Sequence, residues 1–146
     1  NARFWPDKFE QCKDERILCW LENHLCLVPM FPRKPGCSVV ENKDITETKV
    51  KALAKAADDC WEAIMQTDLE AFAAAYRASF EAQISMFPAM IQPGVQNYIN
   101  HYSAMNDVLA WKMPGAGGGG YLALVVEDAS AFCQSTTEAI PLTIRR

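Results

Sequence analysis

The chain has no Cys-x-x-Cys pair, and its two histidines, His24 and His101, stand far apart in the sequence, so the common zinc and redox-dithiol spacings are missing and no metal ligand is expected. It also lacks an excess of either charge. Fourteen Lys and Arg face 18 Asp and Glu for a net charge of -4, with no basic stripe, and neither nucleic acid nor an anionic membrane is an expected partner. The apolar runs stop far short of the ~20 residues a membrane-spanning helix needs, and the basic-then-apolar opening of a secretory signal is absent. The expected location is cytoplasmic. Asn1-Ala2 ahead of Arg3 reads as the scar of a cleaved expression tag, which leaves a single domain over residues 3–146.

What is present suffices for one core, since half of the 146 residues are apolar. Of the six cysteines (Cys12, Cys19, Cys26, Cys37, Cys60 and Cys133), Cys19, Cys26, Cys60 and Cys133 sit among apolar neighbours and read as reduced core thiols. Ile17–Leu21 suggests a short helix or turn. Leu25–Val28 reads as a buried strand closed by the cluster Pro29, Pro32, Pro35 and Gly36. Asp44 with Glu47 spells a capping box, followed by Val50, Leu53, Ala57, Cys60, Trp61 and Ile64 at helical spacing. Thr67 with Glu70 repeats it, and Leu69, Phe72, Ala73, Tyr76, Phe80, Ile84 and Phe87 line a face until Pro88. These two helices are expected to form an antiparallel hairpin. Val95, Tyr98, Ile99, Tyr102 and Leu109 predict a third helix after Pro93-Gly94.

Tyr121–Val126 is apolar throughout, as in a strand covered on both faces or central in a sheet. Asp128 then caps a short helix through Cys133, and Ile140, Leu142 and Ile144 alternate with polar residues or proline like a half-buried edge strand. The expected class is α+β. An antiparallel sheet with helices packed on one face fits a split βαβ, ferredoxin-like arrangement with an enlarged helical section.

Five of the seven glycines fall between Gly115 and Gly120, directly before that apolar strand. Glycines in series can turn successive N–H groups toward an anion, phosphate above all, because no side chain blocks the approach. The loop is not a Walker A loop, since no Gly-Lys-Ser/Thr closes it, and it is not a dinucleotide fingerprint, since a strand follows it. The alternative is a tight structural hairpin, for which one or two glycines would suffice.

The string Lys112-Met113-Pro114-Gly115-Ala116-Gly117-Gly118-Gly119-Gly120-Tyr121, with the Leu-Ala-Leu-Val strand after it, resembles the third motif of the GHMP kinases. That superfamily includes galactokinase, homoserine kinase, mevalonate kinase and phosphomevalonate kinase. The order of elements from about His24 onward is similar to that family's C-terminal domain. Four glycines after Gly-Ala look most like the heptose-phosphate kinase and fucokinase-like branch of its sugar kinases.

The resemblance implies ATP and Mg2+ as cofactors, a sugar or sugar phosphate as acceptor, and an N-terminal kinase domain of the same parent chain as partner. The family's phosphate loop and catalytic acid belong to that other domain, and nothing here matches them. The chain alone is therefore expected to be inactive and to hold no catalytic residue. Carried over, the loop beside the nucleotide phosphates falls on Gly115, Ala116, Gly117, Gly118 and Gly119. Arg33 to Glu41, with Ser38, sits where the sugar kinases have a Ser-rich turn, although the prolines and Cys37 depart from that pattern.

Lys112 beside the loop, and Arg33 with Lys34 in the proline-rich loop, are candidate anion contacts, each weighed against plain solvation. Asp58, Asp59 and Glu62 read as a solvated helix face, and Met86, Met90 and Met105 as gap fillers. A stand-alone ferredoxin-like module that binds a small ligand without catalysis is the alternative to the kinase domain.

Overall fold

The computed structural model describes residues 6–36 and 38–146; the expected tag scar at Asn1-Ala2 and Cys37 lie outside them. Asp14 opens the first helix, α1 (Glu15–Glu22), by accepting from Arg16 N. Then come β1 (Leu25–Pro29), the proline-rich loop, α2 (Glu47–Met65), α3 (Leu69–Met86), a single 3-10 turn at Pro88–Met90 and α4 (Pro93–Ser103). β2 (Val108–Lys112), β3 (Tyr121–Val126), α5 (Ala129–Ser135) and β4 (Ile140–Pro141) complete the order.

The strands lie in the order β2-β3-β1-β4, and each neighbouring pair is antiparallel. That is the ferredoxin-like β-α-β-β-α-β arrangement, with α2, α3 and α4 enlarging the first crossover. The expected fold class holds.

β3 shows why a strand can be apolar at every position. Leu122, Leu124 and Val126 enter the larger core cluster with Cys26, Val28, Ile99, Tyr102 and Phe132. Val125 points the other way, into a smaller cluster with Ala63, Phe72, Ala73 and Ala110. Fully burying a side chain such as Leu124 or Phe132 is worth about 1.5–3 kcal/mol. The α2–α3 pair is the expected hairpin, and it closes through small residues, with Ala56 and Ala63 buried on α2 and Ala73, Ala75 and Ala82 on α3.

Several local expectations are corrected. Thr46 caps α2 by accepting from Lys49 N, while Asp44 pairs with the Lys49 ammonium at 2.6 Å. Asp68 caps α3, accepting from Ala71 N, and Thr67 before it takes a positive φ of 52°. Val50 is exposed, so the buried stripe of α2 is rotated one position toward Ala56 and Ala63. Leu109 belongs to β2 and not to the third helix. Its spacing from Tyr102 fits a helix, but the backbone from Val108 pairs with β3, and an irregularity between Val108 and Ala110 hides the strand's alternation. Only Ile140 and Pro141 form β4. Ile140 is 42% exposed, and Ile144 N leaves the ladder to donate to Glu22 Oε1 at 2.6 Å. Of the thiols expected in the core, Cys26 is buried, Cys60 and Cys133 are half-buried and Cys19 is exposed.

Candidate functional site

Residues 113–120 join β2 to β3, so the glycine cluster is the loop of a β-hairpin. It folds back onto the domain instead of standing free. Gly118 N donates to Met90 O at 3.0 Å, Gly120 N donates to Phe31 O at 2.6 Å, and Gly120 O accepts from Met30 N at 2.8 Å. Arg33 Nε adds a bond to Gly117 O at 3.1 Å. Met113 is fully buried at the base, and Gly115 and Ala116 form the exposed tip.

Two positions require glycine for reasons of space. At Gly119, with φ 147°, a Cβ would lie 2.7 Å from Phe31 O and 3.1 Å from Arg33 N, both backbone atoms that cannot step aside. At Gly117, with φ 73°, it would lie 2.7 Å from Met90 Cε, a flexible side-chain end, and 3.0 Å from Met90 Cβ. The loop is thus both positive in φ and pressed against neighbouring chain.

Gly118 lines a cleft of about 490 Å³ together with Phe31, Lys34, Ser38, Glu41 and Gln92. The start of α4, Pro93 and Gly94, forms another part of the wall. No side chain caps this helix, because Gln92 Nε2 donates to Ala89 O at 2.6 Å instead, and Pro93 occupies the first turn. A helix start carries partial positive charge and unsatisfied N–H groups. With the Lys34 ammonium and the Ser38 hydroxyl, the donor set suits an anion; Glu41 is the one acid on the wall. Among the described residues, no group of three His, Cys, Asp or Glu is gathered as for a metal ion.

The structure brings together most of the residues singled out in the sequence. Gly117, Gly118, Gly119, Arg33, Lys34 and Ser38 meet where the hairpin and the proline-rich loop touch. Arg33 has one guanidinium N–H committed to the loop's backbone. Lys112 departs from both readings given to it. It is neither at the cleft nor fully solvated, since its ammonium donates to Ser79 Oγ on α3 at 2.8 Å. Burial pulls its pKa below the usual lysine value, opposed by the nearby Cys60 thiol. Sequence reasoning assigned no site role to Gln92, Gly94 or Glu41. Pro93-Gly94 before a helical pattern did mark a helix start, but only the packed fold shows what that start faces.

No family model and no curated protein matches the sequence. Among solved structures the likeness falls on a class of α+β domain found in MDDEF, a mevalonate diphosphate decarboxylase of the GHMP superfamily. The structure titled MDDEF in complex with MVAPP is 16% identical with a TM-score of 0.53, covering 84% of this chain and 45% of that one. MDDEF in complex with MVAPP, AMPPCP and magnesium gives 15% identity and the same TM-score of 0.53, covering 84% and 44%. At this identity the likeness establishes the fold. It falls on a decarboxylase, so the sugar-kinase branch draws no support from it. This chain spans less than half the length of those it resembles.

Proposed function

We propose that this chain is the C-terminal domain of an ATP-dependent GHMP-type kinase acting on a sugar or sugar phosphate, with the glycine hairpin lining the phosphate region of a site shared with an N-terminal domain. The observation that carries the reading is the hairpin itself. Its sequence resembles the third GHMP motif, and Gly118 within it lines a cleft whose other walls offer Lys34, Ser38 and an uncapped helix start. The fold it shares with a protein solved with AMPPCP and magnesium supports the same reading.

In this proposal Gly115, Ala116, Gly117, Gly118 and Gly119 shape the space beside the phosphates, and Lys34 supplies positive charge to them. Arg33 holds the loop in place through Gly117 O. Magnesium, when bound, neutralises charge on the phosphates during transfer. Its ligands and the catalytic acid are assigned to the N-terminal domain, so this chain alone neither transfers phosphate nor binds the metal tightly. A cytoplasmic setting follows from the metabolite substrates; among the described residues no helix is long and apolar enough to cross a membrane.

ADP release by the full parent protein with ATP and magnesium, across galactose, fucose, mannose, heptose 7-phosphate and mevalonate, tests the reading. Turnover of a sugar or sugar phosphate supports it; turnover of mevalonate alone keeps the kinase and discards the sugar. A second reading rests on the donor set that this domain offers by itself in the cleft, Lys34, Ser38 and the uncapped start of α4. A stand-alone module that binds a small anion without catalysis would hold pyrophosphate as tightly alone as in the parent, with no ADP released.

A further inference from the structure

A buried tyrosine hydroxyl needs a hydrogen-bond partner, and Tyr102 on α4, only 2% exposed, finds one outside its own helix. It donates to Glu138 Oε1 at 2.6 Å, in the turn between α5 and β4. An exposed glutamate on a turn ordinarily swings freely in solvent, but this one is held at one oxygen by a residue of the core. That bond, and after it Glu138's own backbone N–H, keeps the carboxyl below the usual glutamate value, so it is charged at neutral pH. Burial, and then the same bond, push the Tyr102 phenol up, so Tyr102 stays the donor.

Glu138 and Tyr102 line a cleft of about 500 Å³, with Asn97, Tyr98 and His101 of α4 and with Pro29 at the end of β1. Tyr98 is pinned there, its hydroxyl donating to Met30 O at 3.3 Å, and His101 stands edge-on to Tyr102 with ring centroids 4.9 Å apart. Neither Lys nor Arg is among the described residues on this wall, and no described cation pairs with Glu138. A carboxylate can accept about four hydrogen bonds, and among the described side chains Tyr102 alone donates to it. The cleft therefore offers a fixed negative charge, an open acceptor and aromatic rings, whose faces attract cations.

We propose that this cleft binds a small primary alkylammonium ion, its N–H groups donating to the open Glu138 oxygen and the Asn97 amide oxygen, and its chain lying along Pro29 and Tyr98. The site is separate from the glycine-lined cleft and does not depend on the kinase reading. Phe31 lines that cleft and Tyr98 this one, and their rings stand 6.1 Å apart between centroids. The charges also differ, since Lys34 there suits an anion and Glu138 here suits a cation. The acid-rimmed groove between α2 and α3, with Asp59, Glu62 and Asp68, is floored by alanines and has no aromatic ring among its described lining residues. It serves as an internal control.

The test is titration of the isotope-labelled chain with butylammonium chloride at about pH 7.5, where ammonium and carboxylate are both charged, read by backbone and side-chain chemical shifts. The expected shifts cluster at Asn97, His101 and Glu138 and saturate with a Kd of about 1 mM. E138Q keeps an acceptor for Tyr102, so its thermal midpoint should be unchanged while the ammonium binds about fivefold more weakly. Butanol, the same chain without the charge, should barely shift these signals, and tetramethylammonium, with no N–H to donate, should bind more weakly than butylammonium. Equal affinity in E138Q, an equal response to butanol, or tighter binding of tetramethylammonium would overturn the proposal. So would shifts spread evenly over surface acids such as Asp59 and Glu62, or none at all up to about 50 mM.

Discussion

The floor and the rim of the cleft are built by opposite means. The floor is backbone: Gly118 lines the cleft from within a stretch, Gly117 to Gly120, that is fixed by bonds to Met30, Phe31, Arg33 and Met90 and leaves no room for side chains at two positions. The rim is side chain: Lys34, Ser38 and Glu41 project from a proline-rich loop whose residues are mostly exposed. A backbone floor sets position and tolerates almost no substitution, whereas a side-chain rim sets charge and can change without disturbing the fold. Damage to the floor should therefore appear as lost stability, and damage to the rim as lost binding.

Gly119→Val should be the most harmful change. The atoms it strikes are backbone, so the hairpin must leave the proline-rich loop, at a cost of about 4 kcal/mol or more in urea unfolding. An unfolding midpoint unchanged from the parent would mean that floor and rim are not in contact. Gly117→Ala is expected to cost less, about 2 kcal/mol, from the left-handed backbone plus displacement of Met90. Because Met90 is the obstacle, Met90→Ala should return part of that cost in a double-mutant cycle; strict additivity would show that the strain lies in φ alone.

Lys34→Gln should weaken pyrophosphate binding about tenfold, or about 1.4 kcal/mol, with the thermal midpoint unchanged. Lys112→Met is the control for the other lysine of interest. Its ammonium is spent on Ser79, so titration calorimetry should find the same pyrophosphate affinity as in the parent. Equal losses in both variants would place general surface charge, and not the rim, at the origin of the effect.

The smallest expected effect is at the C-terminus, far from either. Hydrogen bonds from Arg146 hold Glu15 and Glu22 below the ordinary carboxylate value of 4.5, helped at Glu22 by Ile144 N. A carboxyl with a lowered folded pKa binds fewer protons when folded. Its contribution is complete above that ordinary value and is lost as pH falls through the lowered one. Glu15 is open to solvent and Glu22 only half-buried, which keeps the contribution small and salt-sensitive. Protection of the Ile144 N–H, taken relative to its intrinsic exchange rate at each pH, should fall as pH drops below that ordinary value, and in Arg146→Ala it should already be low at neutral pH.

How much was legible in advance follows the same division. Strands and helices with long apolar patterns could be read directly, as in β3 and α3, because burial repeats at the period of the backbone. β2 could not, since a ladder irregularity spoils its alternation and Leu109 falls on a helical spacing from Tyr102. The two helix caps were misread by one or two residues because Asp44, Thr46, Thr67 and Asp68 are all chemically able to cap, and only backbone geometry chooses among them. In the cleft, the glycines announced themselves by composition. Lys34 and Ser38 could be named as candidates and Lys112 could not be dismissed, because which lysine faces the cleft depends on how α3 lies against β2.

That packing of α3 has another result. Arg77 of α3 reaches the carbonyl of Leu109 on β2, an outer strand of the sheet, while β4 at the opposite side is only two residues long and contains Pro141, which has no N–H to offer. Each flank is thereby a poorer template for strand addition by a second molecule, one through an occupied carbonyl and the other through its shortness and a missing donor.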